Sequence, residues 1–123
     1  MSYQSINPFD GKTVKTFEEL TDEQLDTAIE TAADSFEKWR DTSFAGRGAI
    51  ATKAASILRE RIDEFAHFVT LEMGKLIVQA RGEVELSADI IDYYAKNAER
   101  FLAPQPLKPL SGEARIENVP LGV

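Results

Sequence analysis

The sequence predicts a mainly α-helical fold that opens on an N-terminal β-hairpin and closes on a β-strand, and three observations predict it. Apolar residues recur every three or four positions through most of residues 21–101, the period of one face of a helix. A proline and an Asp-Gly pair separate two short apolar stretches near the N-terminus, which is turn chemistry. Three prolines within residues 104–109 stop the helical pattern before a last short stretch. The 123 residues, 43% of them hydrophobic, suffice for one domain at most.

The elements follow in order. Across Ile6 to Val14, Pro8 and Asp10-Gly11 predict a tight turn joining two strands. Thr21, followed by Asp22, Glu23 and Gln24, has the spacing of a capping box, with Leu20 and Leu25 flanking it as a hydrophobic staple. From there Leu25, Ala28, Ile29, Ala32, Ala33, Phe36 and Trp39 form one helical face, opposite Asp26, Glu30, Asp34 and Lys38. Ser43 is expected to cap a second helix whose inner side is Ile50, Ala54, Ile57, Leu58 and Arg61. Asp63 is expected to cap a third containing Phe65, Phe68, Val69 and Met73, which Gly74 ends in a left-handed conformation. A fourth helix runs from about Leu76 to Phe101 on the period of Ile77, Ala80, Val84, Ala88, Ile91, Tyr94, Ala95 and Ala98. Gly82 weakens it by about 1 kcal/mol relative to alanine, so a packing reason is expected there. Pro104, Pro106 and Pro109 end it, Ser111-Gly112 turns the chain, and Glu113 to Val119 is a strand candidate. The apolar ending Pro120-Leu121-Gly122-Val123 reads as an interruption.

Composition excludes several functions. A net charge of −7 opposes binding to a phosphate backbone, so no nucleic acid is expected. No apolar run approaches the roughly 18 residues of a membrane span, and Met1-Ser2-Tyr3-Gln4 lacks a signal-peptide pattern, so a cytoplasmic location without membrane contact is expected. Without cysteine there is no disulfide, thiolate metal site or cysteine nucleophile.

The remaining candidates for chemistry are weak. Gly46-Arg47-Gly48-Ala49-Ile50-Ala51 spells a dinucleotide fingerprint, but a polar helix end precedes it where a strand is required. His67 is the one histidine, placed between Ala66 and Phe68 on an amphipathic helix, and reads as structural. Glu83 and Glu85 point to different sides of a helix near Arg81, which suits ion pairing better than acid–base work. Leu71-Glu72-Met73-Gly74-Lys75 reads as a helix C-terminus, and Trp39-Arg40 and Tyr93-Tyr94 as core aromatics with a polar edge. No catalytic, cofactor-binding or metal residue is assigned from the residues themselves.

The order of segments nevertheless resembles the beginning of an aldehyde dehydrogenase. The residues that carry the resemblance are Asn7-Pro8 with Gly11, Phe36 to Arg40 as F-x-x-W-R, Arg47, and Leu71-Glu72-Met73-Gly74-Lys75. They continue with Gly82-Glu83-Val84-Glu85, Tyr93-Tyr94-Ala95 and Val119 to Val123, in one register over nearly the whole chain. Within that family, the form Leu71-Glu72-Met73-Gly74-Lys75, the short N-terminus and Ala80 to Glu85 are most similar to bacterial succinate-semialdehyde dehydrogenases.

The resemblance implies an α/β parent with a Rossmann-like cofactor domain. In it, residues 1–20 form the hairpin, 21–102 the helical part of the cofactor-binding domain, and 103–123 a linker and a truncated strand of the oligomerisation arm. Family members oxidise an aldehyde through a thiohemiacetal on a cysteine, pass hydride to NAD or NADP, and hydrolyse the thioester with a glutamate as base. Those groups lie beyond the family's P-L-G-V segment, so the chain alone is expected to be inactive and to bind no cofactor. The implied partners are the remainder of the dehydrogenase chain and further copies in a dimer or tetramer. The resemblance also places Gly82, Leu86 and Asp89 at the rim of a substrate tunnel, and a structural monovalent cation near Ser5, Ile6 and Glu72. The alternative is a stand-alone helical protein-interaction module.

Overall fold

A computed structural model describes residues 3–122. Strands β1 (Tyr3–Ile6) and β2 (Thr13–Phe17) pair antiparallel, with Tyr3 opposite Phe17 and a register shift between Ser5 and Ile6. The turn between them is built as its residues dictate. The Asn7 side chain accepts from the Phe9 amide (3.0 Å), Asp10 accepts from the Lys12 amide (3.1 Å), and Gly11 takes φ +70°, where a side chain would be strained. Met1 and Ser2 of the expected hairpin segment, and Val123, lie outside the described residues.

Helix α1 (Asp22–Arg40) starts in the expected capping box: Thr21 Oγ1 accepts from the Gln24 amide at 3.2 Å, and the Gln24 side chain accepts from the Thr21 amide at 2.9 Å. Leu20 and Leu25 flank it but stay largely exposed. Helix α2 (Phe44–Glu60) is capped by Ser43, whose Oγ accepts from the Gly46 amide. Helix α3 (Ile62–Met73) ends at Gly74 with φ +69°, and its cap amide donates to Thr70 O. Helix α4 (Ile77–Phe101) is the long one. It packs along α2 and α3. The core consists of Ala55, Ala66, Ala80, Val84 and Ala88, with Leu58, Ile62, Phe65 and Val69 half-buried around Ala66, Ala80 and Val84.

Five expectations need correction. Trp39, Tyr93 and Tyr94, expected in the core, are 46%, 52% and 58% exposed, the two tyrosines packing on each other and on Phe101 near the surface. The inner side of α2 is Gly48, Ala51, Ala55 and Leu58, while Ile50 and Ala54 are exposed and Arg61 lies outside the helix. Close approach of two helices selects small residues over bulky ones: a Cβ on Gly48 would lie 3.0 Å from the Ala95 carbonyl oxygen of α4. Asp63 is not a cap. Arg61 alone separates α2 from α3, so no extended residue precedes α3 to offer a side chain; Asp63 falls in the first turn and pairs instead with Arg81 at 2.6 Å. Gly82 has no close-packing role, since a Cβ there would meet nothing within 4 Å. The final strand is shorter than expected and has a partner: β4 (Ala114–Ile116) pairs antiparallel with β3 (Gln105–Leu107), across a turn with Gly112 at φ +75°. Pro106 stands in β3, as a proline can in a strand with a free edge.

Candidate functional site

The segments that carry the resemblance meet in space. Arg47, in the first turn of α2, donates from Nη1 to the carbonyl oxygens of Thr42 and, at 3.4 Å, Trp39, and so ties off the end of α1 where F-x-x-W-R lies. Its guanidinium also stands 4.7 Å from the Phe44 ring centroid. Pro8 of the hairpin packs on Gly74, whose missing Cβ would lie 3.1 Å from Pro8 Cγ. The left-handed Gly74 thus serves two ends, closing α3 and admitting the hairpin. Ser5 Oγ donates to Glu72 Oε1 at 2.8 Å, which brings two of the three residues of the implied cation position together next to the register shift at Ile6. Their donors are hard oxygens, which fit a monovalent cation in type. Among the described residues no group of three or more His, Cys, Asp or Glu could hold a metal ion.

Gly82, Leu86 and Asp89, spaced by four and three residues, follow one another along an exposed side of α4. They do not line one hollow. Leu86 is 58% exposed and borders a cleft with Phe65, Phe68 and Ile90, whereas Asp89 turns to α2. There Arg59 makes three charge-assisted bonds: Nη2 to Asp89 (2.7 Å), Nη1 to Asp92 (2.8 Å) and Nε to Glu85 (2.9 Å). The bonds to Asp89, Asp92 and Glu85, in that order, hold the guanidinium well above its ordinary value. Reading the residues singly missed Arg59. The signal was present, since acids at 85, 89 and 92 share one face of a helix and call for a cation opposite.

The expected ion-pairing roles hold. Glu83 pairs with Lys75, Glu85 with Arg59, and Arg81 with Asp63, so the acids of this region neutralise cations and leave no carboxylate pair for acid–base work. His67 is exposed and leans on Phe68, with ring centroids 6.4 Å apart. Gly46 to Ala51 lie inside α2, the Gly46 amide is taken by Ser43, and Gly48 is pressed on Ala95, so these residues do not fit a pyrophosphate. This arrangement can brace helices and present a surface, and it contains no cysteine thiol.

The family model for the aldehyde dehydrogenase family matches residues 1–123. The chain belongs to the aldehyde dehydrogenase family. This aldehyde dehydrogenase chain is 40% identical over 121 residues to the succinate-semialdehyde dehydrogenase (NADP+) of Deinococcus radiodurans, covering 98% of the chain and 25% of that protein. It is 43% identical over 106 residues to succinate-semialdehyde dehydrogenase (NADP+) 1 of Mycobacterium tuberculosis, covering 86% of the chain and 23% of that protein. Among solved structures it superposes on the succinic semialdehyde dehydrogenase of Streptococcus pyogenes in complex with NADP+, with a TM-score of 0.86, 41% identity and coverage of 92% and 25%. Gox0499 superposes with a TM-score of 0.94 at 36% identity, covering 98% of this chain and 27% of that one. The chain therefore spans about a quarter of the length of the relatives it matches. Among the described residues no helix is long and apolar enough to cross a membrane.

Proposed function

We propose that the chain serves as the N-terminal portion of an NAD(P)-dependent dehydrogenase that oxidises succinate semialdehyde to the dicarboxylic acid. The observation that carries this is identity of about two residues in five, over nearly the whole chain, to proteins named for that reaction. The chain has no cysteine, and among the described residues the one dinucleotide-like stretch, Gly46 to Ala51, lies inside α2, so the part proposed for it in the reaction is structural. It supplies the hairpin, a helical layer of the cofactor-binding domain and, in β3 and β4, strand material for an oligomerisation arm. On α4 it offers Gly82, Leu86 and Asp89 to the rim of the substrate path, with Asp89 held by Arg59. Ser5, Ile6 and Glu72 would supply oxygen ligands to a structural monovalent cation. The intact enzyme is read as a cytoplasmic homo-oligomer using NADP or NAD, without nucleic-acid or membrane partners. A stand-alone interaction module is not favoured, because the match to dehydrogenases runs in register from hairpin to final segment.

The 123-residue chain, purified and assayed with succinate semialdehyde and either nicotinamide cofactor, is expected to show no turnover above a protein-free blank. Turnover would overturn the structural role. In the other direction, joining the chain in register to the rest of the Deinococcus radiodurans relative should give an enzyme that reduces NADP with succinate semialdehyde. A folded fusion without that activity would sink the assignment.

A further inference from the structure

Gly82, Leu86 and Asp89, the positions proposed for the rim of the substrate path, differ in what they present outward. Gly82 has no side chain, Leu86 is apolar and largely exposed, and Asp89 is the one charge among them. A substrate such as succinate semialdehyde carries a carboxylate of its own at neutral pH, since carboxyl groups ionise at about pH 4. A bare aspartate beside its path would repel it.

Asp89 is not left bare. Its Oδ1 accepts from Arg59 Nη2 at 2.7 Å, which draws the carboxylate toward α2. Arg59 is itself held from two other directions, with Nη1 donating to Asp92 at 2.8 Å and Nε to Glu85 at 2.9 Å. The acids are not equivalent. The Asp92 side chain is only 18% exposed, whereas that of Asp89 is 63% exposed. Asp92 therefore anchors the guanidinium, Glu85 fixes how it is turned, and the remaining edge of the planar fork meets Asp89. A lysine ammonium on its flexible stem would fix no such third direction. Asp89, so exposed, has room for another rotamer. It follows Gly82 and Leu86 on the same side of α4, so a carboxylate released from Arg59 is free to turn toward them.

We infer that Arg59 is a positioning residue for substrate entry: it turns the Asp89 carboxylate away from the outward side of α4 and neutralises it, so that the rim admits an anionic aldehyde. The inference rests on the proposed function and adds to it a charge-selective role for a residue of α2. With Arg59 in place, the outward strip presents a glycine and a leucine; without it, the same strip gains a free negative charge.

The test uses the chain joined in register to the rest of the Deinococcus radiodurans relative, with succinate semialdehyde and butanal, a neutral aldehyde of the same chain length, as substrates. In Arg59→Gln, KM for succinate semialdehyde should rise roughly fourfold at low ionic strength, the effect of about one uncovered charge about 10 Å away at an effective dielectric constant of about 40. KM for butanal and both kcat values should stay within about twofold of the parent, because only the binding of an anion is opposed. Added salt should close the gap. Asp89→Asn, made on top of Arg59→Gln, removes the released carboxylate and should bring KM back toward the parent value, although the link between α2 and α4 stays broken. Arg59→Lys keeps a cation but loses the fork, so its KM should fall between. A merely structural role of Arg59 predicts parallel losses for both aldehydes, insensitive to salt and not relieved by Asp89→Asn; that pattern overturns the inference. So does an unchanged KM in a folded Arg59→Gln enzyme. Should Arg59→Gln fail to fold by circular dichroism, Arg59→Lys with and without Asp89→Asn makes the same comparison. A parent fusion that oxidises butanal but not succinate semialdehyde sinks the proposed function and this inference with it, whereas a parent active on succinate semialdehyde whose variants follow the structural pattern sinks this inference alone.

Discussion

Gly48 and Gly82 both sit inside helices, and they differ in what a methyl group would meet. At Gly48 the methyl would press on a backbone oxygen of α4 at 3.0 Å, an atom that moves only if the two helices separate. At Gly82 it would meet nothing within 4 Å, and only the helix propensity changes. Gly48→Ala is therefore expected to destabilise the chain by about 1–3 kcal/mol through overpacking, while Gly82→Ala stabilises it by up to about 1 kcal/mol. Denaturant midpoints of the two variants, measured side by side, check the pair. Equal shifts would mean that α2 and α4 do not meet at Gly48. Thr21 is the other residue whose local chemistry is fully specified. Removing its hydroxyl frees the Gln24 amide, so Thr21→Ala should cost α1 about 1 kcal/mol. Since α1 is not buried, the loss should appear as reduced helicity and faster exchange in residues 22–30 rather than as a shift of the core transition.

At the scale of elements, α2 and α4 are joined by two unlike devices. Gly48 meets the Ala95 backbone, and Ala55 and Ala88 are buried small residues on the two packed helices, so the backbones can approach. Further along, Arg59 reaches across to Glu85, Asp89 and Asp92. Two of those carboxylates sit within one and two turns of the third, so without the cation they repel one another. Arg59→Gln is accordingly expected to lower the thermal midpoint more than Asp89→Asn does. Added salt should narrow the gap between Arg59→Gln and the parent chain, because screening weakens the repulsion left behind. A midpoint for Arg59→Gln equal to that of the parent at low salt would show that the cluster contributes nothing to helix packing. The hairpin is held differently, by Pro8 on Gly74 and by Ser5 on Glu72, so the N-terminal strands are pinned to the end of α3 and not to the α2–α4 seam.

For the whole molecule, the balance of surface decides behaviour. Among the described residues no large side chain is fully buried, and the exposed area of 10037 Å² exceeds the roughly 6,600 Å² of a compact chain of this mass. Alone in solution the chain should bind a dye specific for apolar surface and associate in a concentration-dependent, polydisperse manner; β3 and β4, a two-stranded sheet with free edges, offer a further route to pairing. A compact monomer by analytical ultracentrifugation, without dye binding, would contradict this.

The sequence by itself determined whatever depends on neighbours along the chain. The hairpin turn follows from Asn7, Asp10 and Gly11, the start of α1 from Thr21 and Gln24, and the end of α3 from Gly74, because a cap or turn is a local hydrogen-bond problem solved within four residues. The period of α4 was legible for the same reason: twenty-five residues of one repeat leave little choice. What only the tertiary structure decided is which face meets which. The inner side of α2 went to Gly48 and Ala55 over Ile50 and Ala54, since packing distance is set by the partner helix and hydrophobicity alone cannot reveal it. Asp63 went to Arg81 and Asp89 to Arg59, and β3 arose from a proline-rich stretch through its pairing with β4. Each of these depends on an atom far away in the chain, and no local pattern encodes a distance in space.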